Sequence, residues 1–409
     1  MTERLYYTDP YATEFDAEIL RVEDLDGRPA VVLDRSAFYP SSGGQPHDVG
    51  TLGDARVVDV VDGEDGEIRH VVEGSAGAGA VRGRIDWPRR FDHMQHHTGQ
   101  HVLSAAFDRL AQARTESFHL GAASATIDLA REVTAAAIAR VEDEANRIVW
   151  EDRPVHIRFA DAGDAAALPL RKESGRTGTL RLIDVEGFDL SACGGTHVAR
   201  TGAIGVIAVS SWEKFRGGTR VGFVCGGRAL RSHRGLRDAV SASVRALSVL
   251  PGELPAAIER LQSEGKASRR AIKTLQGALA VHEAGRLASQ AEVLGGLQVV
   301  VTALDGWDAA ALKGIASGLV ERRAHIAVLF GVVSRGLASS DPGAAIVVAR
   351  SADVALDSAA VLRTMTEKFG GKGGGRPELA QGGGLQGQIP DMLEFARRTI
   401  QDRVNGRQS

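Results

Sequence analysis

RRFDHMQHHTGQHVLSAAF, residues 89–107, is where the chain changes character. Before it the pattern belongs to strands. AEILRVEDLDG, RPAVVLDRSAFY, ARVVDVVDGEDG, EIRHVVEG and AVRGRID are short β-rich runs cut by Gly/Asp turns, as in a small barrel that closes its own edges. From Trp87 onward apolar residues recur at helical spacing, and they do so again in VTAAAIARVEDEANRIVWED. Between those helices ESFHLGAASATIDLA reads as a hairpin. After them PVHIRFAD, TLRLIDVEGFDLSA, AIGVIAVSSWEKF and TRVGFVCG read as strands. The expected architecture is a multidomain α+β chain: a barrel over 1–88, an α+β domain over 89–227, a helical arm over 228–291 and an α/β domain over 292–409. The arm carries a thin apolar stripe suited to two helices that pack on each other, and Gly265 interrupts its periodicity. The last domain contains a Gly-rich stretch, GGKGGGRPELAQGGG (370–384), that reads as a flexible loop.

Bulk composition narrows the function classes. A 409-residue chain with 43% hydrophobic and 25% charged residues is an ordinary globular protein of two or three domains. Two cysteines, Cys193 and Cys225, exclude a disulfide framework and favour a reducing, cytoplasmic setting. No apolar run reaches the roughly 18–20 residues needed to cross a bilayer, and the N-terminus lacks a secretion pattern. With a net charge of −3, any nucleic-acid partner must be met by local basic patches.

Within the opening stretch, His93, His97 and His101 fall at i, i+4 and i+8 and share one helix face, while His96 points elsewhere. A pair of histidines four apart can chelate a metal ion, yet alone it reads most simply as a polar helix face. The complement is CGGTH, residues 193–197. A thiolate and an imidazole four residues apart, around two glycines that let the chain turn tightly, form a natural second half-site for zinc. The ninety-odd residues between the halves exclude a zinc finger and fit a site assembled across a folded domain.

HTGQH, SFHLG and LIDVEGFDLSACGGTHVARTGAIG resemble the editing domain of alanyl-tRNA synthetases and the related AlaX trans-editing proteins. FYPSSGGQPHDVGTL (38–52) is similar to the Gly-rich motif of their N-terminal barrel, and RPELAQGGG resembles their closing DHHA1 domain. The resemblance covers essentially the whole chain. It implies one Zn²⁺ held by His97, His101, Cys193 and His197, and leaves His93 outside the ligand set. One departure is His96, where relatives often carry Asn or Gln.

The implied reaction is hydrolysis of serine or glycine wrongly esterified to alanine tRNA. Zinc would either activate water or position the substrate. Rejecting alanine requires a site that hydrogen-bonds the extra hydroxyl. Thr98, Gln100 and Gln45 are the catalytic candidates, and Ser42, Gly43 and Gly44 are candidates for binding the aminoacyl end. Arg171 and Lys172 in RKESGR, and Arg216 and Arg220 in WEKFRGGTR, are candidate phosphate contacts. Lys372 and Arg376 lie within the Gly-rich stretch and make it a candidate anion-binding loop, though it fails the GxxxxGK[ST] template because Gly373 stands where Ser or Thr is needed. The implied partner is mischarged alanine tRNA, with a homodimer possible through the arm and last domain. Two alternatives remain at this level: a zinc-stapled tRNA-binding protein without catalysis, and a DHHA1-type phosphoesterase. The latter lacks its DHH signature, the nearest string being Asp92-His93-Met94. Fewer than ninety residues before the zinc helix are too few for an aminoacylation domain.

Overall fold

The computed structural model describes residues 1–161, 163, 167–171, 178–332 and 344–405. The chain divides into two compact units, Met1–Ala246 and Leu247–Ser409. Among the described residues no helix is long and apolar enough to cross a membrane.

The first unit begins with the expected barrel. Strands β1 (Glu14–Leu25), β2 (Arg28–Leu33), β3 (Gly50–Leu52), β4 (Ala55–Asp62), β5 (Ile68–Glu73) and β6 (Ala80–Ile85) close in the order β1-β2-β5-β4-β3-β6. Their alternate residues turn inward to a core of Val31, Leu33, Leu52, Val57, Val60 and Ile68, as period-two patterning demands. The wall also buries His70, whose ring bonds to Val31 O (2.9 Å) and Ser36 Oγ (2.7 Å). Burial pulls that imidazole down to about 4, against a weaker upward pull from the Val31 carbonyl.

The consequence for stability has a definite sign. Between about pH 6.5 and 4 the unfolded chain takes up a proton that the folded barrel refuses, so stability falls as pH falls through that window. The full loss is about 3 kcal/mol. A His70→Asn chain should lose one proton's worth of the pH slope in the urea midpoint of the first unit. An identical slope in both chains would refute the assignment.

Helix α1 (Trp87–Ala111) leaves the barrel directly. The Asp86 side chain caps it by accepting from Arg89 N, Pro88 occupies its first turn, and Gln112 ends it in the left-handed region. Nearly every residue from His93 to Phe107 is buried, so α1 is the axis of the second layer rather than a surface helix. Around it lie β7 (Thr115–Leu120), β8 (Ala125–Leu129), α2 (Ala135–Trp150), β9 (Val155–Asp161), β10 (Thr179–Val185), β11 (Asp189–Ala192), β12 (Ile207–Phe215) and β13 (Gly218–Cys225). They form a four-stranded sheet, β12-β13-β8-β7, and a three-stranded one, β9-β10-β11. Gly99 makes the packing of α1 on β13 possible, since a Cβ there would stand 2.5 Å from Cys225 Sγ. His96 acquires a structural task on the same side. Its Nδ1 donates to Asp92 O (2.7 Å), and its Nε2 accepts from Cys225 N (3.0 Å).

Helix α3 (Gly226–Leu247) ends the first unit, and α4 (Leu254–Ala288) opens the second. The helical segment expected as one arm thus falls on both sides of the division. Gly265 does not break α4, which runs 35 residues. The C-terminal Ala280, Ala284 and Leu287 of α4 pack into a core shared with α5 (Ala309–Val320).

The second unit carries β14 (Glu292–Leu294), β15 (Leu297–Asp305), β16 (His325–Val332), β17 (Ala344–Arg350), α6 (Ser358–Phe369), β18 (Lys372–Arg376), β19 (Leu379–Leu385) and α7 (Ile389–Asn405). The sheet order is β14-β15-β16-β17-β19-β18. Only β15 and β16, joined through α5, run parallel; the other neighbours are antiparallel. The stretch expected as a flexible Gly-rich loop is the paired hairpin β18–β19, with Lys372 opposite Gly383 and Arg376 opposite Leu379. Its glycines serve close approach: a Cβ on Gly373 or Gly382 would press within about 3 Å of Leu362 on α6.

Candidate metal centre

His97 and His101 lie one turn apart on the buried face of α1, and Cys193 and His197 sit in the turn that follows β11. Their four donor atoms all lie within 4.8 Å of one another. Cys193 Sγ is 3.3 Å from His97 Nε2 and 3.4 Å from His197 Nε2. Zinc–nitrogen bonds near 2.0–2.1 Å and zinc–sulfur bonds near 2.3 Å place tetrahedral donors about 3.3–3.8 Å apart, so the cluster fits a zinc-sized ion.

All three imidazoles are held from behind by Nδ1, which leaves Nε2 for the cluster. His97 Nδ1 donates to Gln45 Oε1 (2.7 Å), His197 Nδ1 to Thr98 Oγ1 (3.2 Å), and His101 Nδ1 to Asp189 Oδ2 (3.0 Å). Such partners fix tautomer and ring orientation in metal sites. Gln45 reaches across from the barrel and also accepts from Thr196 N (3.1 Å) while donating to Thr196 Oγ1 (2.9 Å). Thr98 additionally accepts from Val198 N (3.1 Å). Gly195 is obligatory in the turn, because a Cβ there would collide with the His97 ring.

The electrostatics suit a cation. Burial would raise the Cys193 thiol, but His97 and His197 outweigh it and hold it well below the usual thiol range. Burial likewise lowers His101, yet the Asp189 carboxylate and Cys193 bring it up to about 9. Metal binding needs the thiolate and neutral imidazoles, so an ion entering the cluster displaces the proton that Asp189 and Cys193 hold on His101.

A cavity of about 840 Å³ opens beside the cluster, lined by Ser42, Gly43, His97, Gln100, Thr115 and Cys193 among others. Gln100 Nε2 donates to Ser104 Oγ (2.9 Å), and Thr115 Oγ1 donates to the same atom (2.7 Å). Gly44 lies behind this wall, where its carbonyl accepts from Leu120 N (3.0 Å) and any Cβ would strike Phe118 O.

The candidate residues therefore part company. The four ligand candidates converge, with Gln45 and Thr98 spent on the imidazoles, while Ser42, Gly43 and Gln100 line the cavity. Arg171 bonds Asp189 Oδ1 (2.6 Å), and Arg220 pairs with Asp128 (2.6 Å) and stacks on Phe215, so both charges are locally offset. Arg216 is exposed at the β12–β13 turn, and Lys372 and Arg376 are exposed on β18. Lys172 lies outside the described residues. His93 is buried but stands apart from the cluster.

Two functional residues escaped the sequence reading. Asp189 could have been found from period two: Asp189, Ser191 and Cys193 alternate along DLSAC. Arg181 gave no such signal. Its Nη1 donates to Cys193 O (2.7 Å) and Gly195 O (2.9 Å), clamping the ligand turn. Replacing Asp189 by Asn should lower metal affinity by roughly 10- to 100-fold in competition with a chromophoric chelator. Wild-type affinity in that variant would remove Asp189 from the site.

Residues 296–402 match the DHHA1 domain model, and residues 180–221 match the threonyl and alanyl tRNA synthetase second additional domain. An alanine–tRNA ligase of Natronomonas pharaonis is 37% identical over 94% of this chain, and one of Pyrococcus furiosus is 32% identical over 99%. The chain spans 42% and 43% of the length of those ligases. The alanyl-tRNA editing protein AlaX-L of Pyrococcus horikoshii is 31% identical over 93% of this chain and 94% of its own length. With that relative matched over most of both chains, and with the DHHA1 and editing-domain models matching this sequence, the protein belongs to the family of alanyl-tRNA editing proteins related to AlaX-L.

Proposed function

We propose that the chain hydrolyses the ester linking a wrong amino acid, serine or glycine, to the 3′ end of alanine tRNA, with zinc held by His97, His101, Cys193 and His197. The observation that carries this reading is the convergence of the four donors beside a cavity, lined by His97, His101 and Cys193, that is large enough for an aminoacyl end. Zinc in that position would supply Lewis-acid stabilisation of charge developing at the ester.

The chain's own residues account for the rest. Gln45, Thr98 and Asp189 hold the Nδ1 protons and so keep every Nε2 directed inward. Gln100 commits its amide N–H₂ to Ser104, which leaves Oε1 as an acceptor beside the cavity. A serine hydroxyl satisfies that acceptor and alanine does not, the kind of contrast an apolar pocket alone cannot supply. Arg216, Lys372 and Arg376, exposed and without a bonded carboxylate among the described residues, are available for tRNA phosphates.

The test is release of amino acid from Ser-, Gly- and Ala-charged alanine tRNA, with and without chelator. Serine should leave far faster than alanine, and chelation should abolish the difference. Release of serine no faster than in buffer would end this reading. Gln100→Leu should cut the serine-over-alanine preference by roughly 10- to 100-fold at unchanged metal content.

A further inference from the structure

The three-stranded sheet β9-β10-β11 turns one face to the core of the first unit, where Ile157 on β9 stands opposite Ile183 on β10. Side chains alternate along a strand, so two residues further on the same face carries Phe159 opposite Arg181. Ser191 on β11 faces Ile183, and the next residue on that face is Cys193, whose N donates to Arg181 O (3.0 Å). Phe159, Arg181 and Cys193 thus form one row across three strands, and all three line the cavity beside the candidate metal centre. Neighbouring strands lie about 5 Å apart, which puts Arg181 one spacing and Phe159 two spacings from Cys193.

Two members of the row lack what their chemistry demands. Arg181 is 7% exposed, and its Nη2 has no partner among the described residues. Its Nε and Nη1 donate only to carbonyls, those of Tyr7 (2.9 Å), Cys193 and Gly195. The other two arginines on the cavity wall face carboxylates, Arg4 with Asp62 and Arg171 with Asp189. A buried guanidinium without an anion is costly, and its planar fork matches the oxygens of a phosphate. Phe159 shows the converse. Tyr6 and Tyr39 on the same wall are buried and Tyr7 and Phe118 half-buried, but Phe159 is 51% exposed. An exposed phenyl alone is ordinary; beside an anion-binding group it is a platform for a planar base.

We propose that Phe159 and Arg181 form a subsite for the terminal nucleotide of the substrate, the ring stacking on its base and the guanidinium holding its phosphate. Both are positioning residues, which fix the nucleotide so that its 3′ ester falls at the Cys193 end of the row. The choice of a nucleotide rests on the editing reading; the unpartnered guanidinium and the bare ring do not.

Adenosine 5′-monophosphate is titrated into the metal-loaded full chain by calorimetry, with adenosine and ribose 5-phosphate as its two halves. Wild type should bind the nucleotide roughly 10-fold or more tighter than either half. Phe159→Ala should weaken the nucleotide by roughly 5- to 100-fold and leave ribose 5-phosphate unchanged, whereas Phe159→Tyr should keep wild-type affinity. Arg181→Lys should weaken the nucleotide and ribose 5-phosphate by roughly 10-fold and leave adenosine unchanged. Metal content is read on every chain. Arg181→Lys also loosens the clamp on Cys193 O and Gly195 O, so if it sheds metal its reference is the metal-free wild type. Absence of nucleotide binding by wild type, or equal affinity in wild type and Phe159→Ala, overturns the proposal. So does unaltered ribose 5-phosphate affinity in Arg181→Lys, the result expected of a phosphate held by the metal alone.

Serine release from charged alanine tRNA is read in parallel, and the loss in Phe159→Ala should appear in KM rather than kcat. Wild type that edits while nucleotide affinity ignores both residues sinks the subsite and spares the editing reading. Wild type that binds the nucleotide through both residues and releases no serine does the reverse.

Discussion

A Cys193→Ala chain should remain folded and lose its bound metal. Cys193 is the only anionic donor among the four, and the imidazoles of His97, His101 and His197 cannot replace its charge. Removing an outer partner such as Asp189 costs about 10- to 100-fold in affinity, so removing a direct donor should cost more than about 100-fold. The half-buried position of Cys193, just beyond the end of β11, makes the truncation mild for the fold. Metal content after dialysis should drop from one ion per chain to near zero, and serine release should fall with it. The control is Cys225→Ala. Cys225 is buried against Gly99 on the opposite face of α1, where desolvation raises its thiol; among the described residues it belongs to no cluster of candidate ligands. Equal metal in wild type and Cys193→Ala would dismantle the proposed centre.

Substituting Arg90 with methionine should give the largest loss of stability. Arg90 and Asp48 are both fully buried, with Arg90 Nε 3.0 Å from each carboxylate oxygen. Arg90 also donates to Pro10 O (2.8 Å) and Ala37 O (2.5 Å), tying α1 to the N-terminal segment and the barrel. Methionine fills the volume but leaves Asp48 charged, buried and without its cation, a defect worth about 3–5 kcal/mol. For a unit of this size that is roughly 10 °C in the thermal midpoint. Asp48 further accepts from Tyr39 N (2.6 Å), at the base of the turn that delivers Gln45 to His97. Metal affinity should therefore decline together with stability. An Arg90→Met/Asp48→Leu chain should recover part of the loss, though not all, because Tyr39 N is then orphaned. A midpoint shift below about 2 °C in the single variant would show that the pair is not the anchor it resembles.

Much of the candidate metal centre was legible because both half-sites are local. An i, i+4 pair of imidazoles and a Cys-x-x-x-His turn each fall within five residues, and each spacing has a geometric meaning before any fold is known. The outer partners were illegible as such. Gln45 and Thr98 were noticed as polar groups near the chemistry, but their bonds to ring nitrogens span 52 and 99 residues. Arg171 looked like a surface cation in RKESGR and instead faces Asp189. The same ambiguity hid Arg90: an Arg-Arg pair at a helix start reads as solvated charge until a buried carboxylate 42 residues earlier is placed opposite it.

The Gly-rich stretch shows the limit most plainly. Glycines without side-chain pattern read as a loop, yet 372–376 and 379–385 pair as strands. Their cross-strand hydrogen bonds and the pressure of Leu362 come from tertiary packing, which composition does not encode.

By itself the sequence settled the barrel, a helix at α1 and the two half-sites, because period two, period 3.6 and ligand spacing are properties of adjacent residues; that α1 is buried it did not show. Tertiary structure decided which polar groups hold the imidazoles and which arginines are offset. Those depend on pairings between residues tens of positions apart, made only when the sheets close around α1 and when α4 docks on α5.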